Sequence, residues 1–209
     1  MLEEQRLVEQ AQRGDHNAFA QLVETYQTPV YNLAYRMLGN ANDAEDAAQE
    51  TFLRAFAQLK KFRTEQKFAT WLLSIDAHYC IDRLRRKKFQ WLSLEDDGLS
   101  EMLTSDAPEP DDQALRHEDQ REIEKLLERL SPASRLVVVL RYWHDQPVAE
   151  IAKTTGDSVS AVKVKLHRAR QMLAREISGV GQIVEDPRNG MEGNNLSNSE
   201  VSKRCVNHT

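Results

Sequence analysis

The chain reads NDAEDAAQETFLRAFAQLKKF from Asn42 to Phe62, RTEQK from Arg63 to Lys67, and FATWLLSIDAHYCIDRLRRKK from Phe68 to Lys88. Apolar residues recur at spacings of three and four in both long pieces, which predicts two helices. In the first, Ala44, Ala48, Phe52, Ala55 and Leu59 share one face, and Asp46, Gln49, Glu50 and Leu53 share the other. In the second, Phe68, Trp71, Leu72, Ile75 and Tyr79 form the apolar stripe. That helix ends in five cations within six residues: Arg83, Arg85, Arg86, Lys87 and Lys88. Such charge neutralises phosphate and releases counterions. Aromatic rings beside it can stack on unpaired bases. Holding duplex DNA needs only the first property, so the combination points to separated strands.

Upstream, Phe19, Leu22, Val23, Tyr26, Val30, Leu33, Ala34 and Met37 predict another amphipathic helix. Pro29 is read there as a first helical residue or a kink, and Gly39 as the stop. Asn42, with Glu45 three residues on, is read as the cap of the acidic helix. No strand alternation stands out, so the expected class is all-α.

Charge is partitioned along the chain. Lys/Arg against Asp/Glu run 4 to 9 over residues 1–59, 9 to 3 over 60–92, 2 to 11 over 93–122 and 10 to 6 over 123–178. Two basic zones flank an acidic block, a pattern that fits nucleic acid although the net charge is −5. The acidic block, SLEDDGLSEMLTSDAPEPDDQ in its core, has few large apolar residues and is expected to be a flexible linker, with helix resuming near Gln113.

After the linker, Ser131 is a cap and Pro132 a first helical residue. A helix through SRLVVVLRYW is followed by a short one in PVAEIAKTT, a turn at Gly156, and a helix in SVSAVKVKLHRARQMLARE capped by Ser158 or Asp157. Val159, Val162, Leu166, Ala169 and Leu173 are expected inside, and Ser160, Lys163, Val164, His167, Arg168 and Arg170 outside or flanking. Two helices around a glycine turn, the second one basic, form a helix-turn-helix. The expected organisation is two small helical domains, 1–92 and 123–177, joined by the acidic linker 93–122 and followed by a tail, 178–209, whose composition predicts disorder.

Other classes are disfavoured. The longest apolar run, Leu136 to Leu140, is far too short to cross a bilayer, so no membrane insertion is expected. The N-terminal MLEEQRLVEQ has no signal-peptide pattern, and a cytoplasmic protein is expected. Cys80 is expected to pack as a small apolar residue. Cys205 and His208 are half of a zinc-ligand set with no second pair beside them, so no metal or cofactor is expected. The one dense acidic cluster, Asp43, Glu45, Asp46 and Glu50, spreads around a surface helix without His or Lys beside it. No catalytic residue, and no enzyme, is read there. A two-component-type regulator would need an α/β receiver, whereas this N-terminal half is helical.

DAEDAAQETFLRAF, FATWLLSIDAHYCIDRLRRKK and EIAKTTGDSVSAVKVKLHRARQML together resemble the extracytoplasmic-function sigma factors, within the sigma-70 family of bacterial polymerase specificity subunits. The resemblance covers about residues 5–92 and 123–177. It implies a subunit that binds core RNA polymerase and directs promoter recognition, DNA opening and initiation at a dedicated regulon. It assigns polymerase docking to Asp43, Asp46, Gln49, Glu50 and Leu53. It assigns the minus-ten element and the melted strand to Lys60, Lys61, Arg63, Lys67, His78, Arg83 and Arg86, with base capture in the 60–67 loop. It assigns the duplex minus-thirty-five element to Ser158, Ser160, Ala161, Lys163, Val164, Lys165, His167 and Arg168. Trp71 and Phe68 fall on the core stripe instead. An anti-sigma factor is a further partner that the resemblance admits. Two departures stand out: Ile75-Asp76-Ala77-His78 replaces the family's frequent Ile-Ala-x-Asn, and His167 stands where an apolar residue is frequent. Asp76 is expected near DNA or paired with an arginine.

Overall fold

The computed structural model describes residues 2–96 and 114–179. Within them the chain forms α1 (Leu2–Gln12), α2 (His16–Leu38), α3 (Ala41–Gln58), a single 3-10 turn (Leu59–Lys61), α4 (Phe68–Asp96), α5 (Ala114–Glu128), α6 (Pro132–Tyr142), α7 (Val148–Thr155) and α8 (Val159–Gly179). No strand occurs among the described residues. Helix α4 runs past residue 92, where the first domain was expected to close. The acidic stretch 97–113, and the tail from 180 with Cys205 and His208, lie outside the described residues.

Helices α1–α4 build the first domain. Asp15 caps α2 by accepting from the Asn17 and Ala18 amides at 2.9 and 3.2 Å. Pro29 lies inside α2. Gly39 ends it at φ +70, a left-handed conformation that suits glycine, and its N–H donates to Tyr35 O. The cap of α3 is Asn40 rather than Asn42: the Asn40 side chain accepts from the Asp43 amide. The buried line of α3 is Ala44, Ala47, Thr51 and Ala55, with Ala48 and Phe52 only half-buried. The small residues on this line let α3 lie close to its neighbours. Gln12 reaches from α1 to donate to Leu59 O and Phe62 O, each at 2.9 Å, and so pins the end of α3. Phe62, Phe68 and Trp71 then pack edge-on or tilted against one another within 5.6 Å, with Tyr26 against Phe68. Phe68 is buried and Trp71 half-buried, as core residues.

Helices α5–α8 build the second domain. Ser131 caps α6 by accepting from the Ser134 amide, with Pro132 at its first position. Leu136, Val137, Val138, Val139 and Leu140 are all at most 2% exposed. Burying one such side chain is worth about 1.5–3 kcal/mol. Gly156 turns from α7 into α8 at φ +73. Ser158 caps α8, its Oγ accepting from Ala161 N at 3.2 Å, while Asp157 bonds Lys165 instead. Val162, Leu166, Ala169 and Leu173 are buried as expected, but Val159 is 44% exposed because it lies in the opening turn.

The two domains touch. Helix α6 lies on α2 and α7 on α4. Arg135, 7% exposed, donates from Nε to Leu127 O at 2.8 Å and from Nη1 to Met37 O at 2.7 Å. It thereby satisfies Met37 O in the last turn of α2, which a helix leaves without an internal donor, and is a second donor to Leu127 O, which also accepts from Leu130 N at 3.1 Å. The Arg36 guanidinium stacks on Trp143, 4.3 Å from the ring centre.

Candidate nucleic-acid interface

The outer face of α3 carries Asp43, Asp46, Gln49, Glu50 and Leu53, the last 66% exposed. Phe56 continues it at 44% exposure, packed on His16 and Phe19 of α2. Asp43 and Glu50 are drawn in by cations. Arg83 and Lys87 of α4 both bond the Asp43 carboxylate. Arg54 Nε donates to Glu50 Oε1 at 2.7 Å, and Arg83 also lies 3.6 Å from Asp46. Burial works to raise the Asp43 carboxyl, but the bonds from Lys87 and Arg83 prevail and hold it below the ordinary carboxylate value. Arg83, assigned to DNA by the resemblance, is thus held against α3.

Lys60, Lys61, Arg63 and Lys67 lie on the 3-10 turn and the loop before α4, Arg63 exposed like its lysine neighbours. At the end of that loop, Glu150 of α7 approaches from the second domain. It accepts from Thr70 at 3.0 Å and lies 4.0 Å from Lys67. The Glu150 carboxyl is held low, first by the bond from Lys153. His78 and Arg86 are exposed on α4. The His78 ring donates from Nδ1 to Ser74 O of its own helix.

Asp76 is neither at the surface nor bonded to an arginine. It is fully buried between α3 and α4, accepting from Thr51 at 3.2 Å and Cys80 at 3.6 Å on the same oxygen. Its other oxygen has no partner. Burial pushes its carboxyl up to about 7 against the pull of those two bonds, and burial likewise raises the Cys80 thiol. In α8, Ser160, Lys163, Val164, His167 and Arg168 are exposed on one side, with Ser158 at the cap and Ala161 half-buried. Lys165 is drawn back to Asp157 at 2.6 Å. Among the described residues no cluster of His, Cys, Asp and Glu is built to hold a metal, and no helix is long and apolar enough to cross a membrane.

Sequence reading missed Arg54, Arg135 and Glu150. Only Arg54 left a signal, its i,i+4 spacing from Glu50.

A basic loop and helix tied to the acidic face of α3, followed by a helix-turn-helix, match known proteins. The Sigma-70 region 2 model covers residues 22–90 and the Sigma-70 region 4 model residues 120–173. The ECF RNA polymerase sigma factor SigW of Bacillus subtilis is 35% identical over 176 residues, covering 81% of this chain and 94% of its own length. The chain belongs to the ECF sigma factors. The RNA polymerase sigma-H factor of Pseudomonas aeruginosa is 30% identical over 181 residues, covering 84% of this chain and 94% of that protein. Among solved structures, CnrH in complex with the cytosolic domain of CnrY superposes with a TM-score of 0.65 at 25% identity, over 85% of this chain and 98% of that one. RpoE of Bartonella quintana, solved with NepR, shares the fold at a TM-score of 0.62 and 22% identity, over 78% and 98% of the two chains. As a member of this family the protein directs promoter-specific transcription initiation, and such subunits confer specificity rather than catalysis.

Proposed function

We propose that this sigma factor docks on core RNA polymerase through Asp43, Asp46, Gln49, Glu50 and Leu53. The observation that carries the reading is Leu53, a large apolar side chain left 66% exposed in a ring of acids and amide. A polar face with one apolar anchor suits an interface that forms and dissolves. Lys60, Lys61, Arg63, Lys67, His78 and Arg86 then engage the minus-ten element and its melted strand. In the helix-turn-helix, Ser158, Ser160, Ala161, Lys163, Val164, His167 and Arg168 face the duplex minus-thirty-five element, with Lys165 beside them. The promoters served form a dedicated regulon, and no enzymatic step belongs to the chain. An anti-sigma factor is a further partner in this reading; the similar protein CnrH was solved with the cytosolic domain of another protein, CnrY.

The test is a paired substitution, Gln49→Ala with Leu53→Lys. Neither side chain is buried, so helix content stays as in the wild type. Core-polymerase binding, read by pull-down or by fluorescence anisotropy, is expected to be lost. Undiminished affinity in that variant ends the docking assignment.

A further inference from the structure

Helix α8 turns an aliphatic side chain outward at the centre of its basic face. Val164 is 48% exposed. Helical steps of about 100° put it about 160° from both Val162 and Leu166, opposite the buried line. Those two are fully buried, and Val164 is not part of the core that they join. Lys163 precedes Val164, and His167 and Arg168 follow one turn on, all three exposed. Other polar groups nearby are engaged within the helix-turn-helix itself. Ser158 Oγ lies 3.0 Å from Ser160 Oγ, and Lys165 donates to Asp157 at 2.6 Å. One exposed aliphatic residue means little by itself. Here neither packing nor propensity explains it, because valine is a poorer helix former than the lysines and arginines around it.

We propose that Val164 reads the 5-methyl group of a thymine in the minus-thirty-five duplex. The methyl is the one aliphatic group that base pairs present in the major groove, beside their donors and acceptors. A recognition helix meets base edges with its N-terminal residues, and Val164 lies in the second turn of α8. Lys163, His167 and Arg168 surround it with donors for guanine or phosphate, and such bonds are indifferent to a methyl group. Val164 supplies the contact that tells thymine from a pyrimidine without the methyl. The inference rests on the reading of α8 given above and adds the base feature that α8 selects.

The test uses the full chain assembled with core polymerase, and promoter duplexes that it selects from a pool randomised around the minus-thirty-five position. Each thymine of the selected site is then replaced by deoxyuridine, which removes the methyl group and nothing else. At one such position, wild-type affinity is expected to fall about fourfold, the worth of one buried methyl group. Val164→Ser is expected to bind the thymine and deoxyuridine duplexes equally well. Val164→Ile, which keeps an aliphatic tip, retains the discrimination. The side chain is exposed, so these variants keep the fold. A selected site without thymine overturns the inference, as does equal wild-type affinity for both duplexes at every position. A fourfold loss that Val164→Ser shows in full overturns it too. Lys163→Ala with Arg168→Ala separates the inference from the reading beneath it. If that variant selects the wild-type site unchanged, the reading of α8 falls and the methyl contact with it. If it loses that site while the wild type ignores the methyl group, α8 reads the duplex and the methyl contact alone is wrong.

Discussion

The two basic surfaces of this sigma factor are kept in different states. On α8, Lys163 and Arg168 are exposed and have no acid partner among the described residues. On the first domain, Arg54, Arg83 and Lys87 are bonded to acids of α3, and Lys67 is approached by Glu150. On the proposed reading, α8 meets duplex DNA and can stand ready, because duplex is always present. Lys60, Lys61 and Arg63 of the first domain stay exposed, so the pairing is confined to the cations of α3 and α4 and to Lys67. Pairing them internally costs little, since such partly exposed ion pairs are worth about 0–1 kcal/mol each and exchange easily.

The sharpest way to break this contrast is to separate the two regions. Arg135→Ala removes two charge-assisted hydrogen bonds from buried carbonyls, one in each domain. A loss of about 3–6 kcal/mol is expected, read by urea unfolding. A loss below about 1 kcal/mol would mean that the domains are held together by other means.

Next in size is the seam inside the first domain. The folded value of Asp76, about 7, lies above its ordinary 3.8, so folding favours the protonated acid. This stabilisation is complete below about pH 4, declines as pH rises towards 7, and is absent above it. The span corresponds to up to about 4 kcal/mol. Paired carboxylates such as Asp43 and Glu150 act in the opposite sense, losing stability as pH falls. The clean measurement is therefore the difference between wild type and Asp76→Asn across about pH 4–8. Parallel curves would show that Asp76 does not titrate in the fold.

The smallest effects test the contrast itself. Lys163→Ala with Arg168→Ala is expected to weaken duplex recognition by about 1–3 kcal/mol for each base-reading side chain removed, whether or not the template is open. Lys61→Ala with Arg63→Ala is expected to impair opening, and a pre-melted bubble restores much of the activity, because unstacking costs a few kcal/mol. Abortive transcription on duplex and bubble templates separates the two. Equal rescue of both, or of neither, removes the division of labour.

Local chemistry made most of the fold legible. Ser131-Pro132, Gly39 and Gly156 marked helix ends, because each residue type has a conformational reason to be there. The cap of α3 misled because Asn40 and Asn42 stand two apart and both lie just ahead of an acid. The Glu45 spacing favoured the wrong one, and the amide that needed an acceptor was that of Asp43. Asp76 misled by its letter: helical spacing from Leu72 and Cys80 put it inside, but a carboxylate is expected out. The exposed candidates on α8 were readable from periodicity alone. Glu150 was not, because its partner Thr70 lies 80 residues away and nothing local reports it.

Arg135 and Met37 are 98 residues apart. At about 5–20 residues per second, the ribosome completes α2 some 5–20 s before it adds the arginine that closes it. The first domain therefore spends that interval with its α2 terminus open to water or to a chaperone. Chains stalled just before and just after Arg135 should differ in protease sensitivity near Leu38. The order of synthesis places the partly closed half of the molecule in the cell first, and its fastening second.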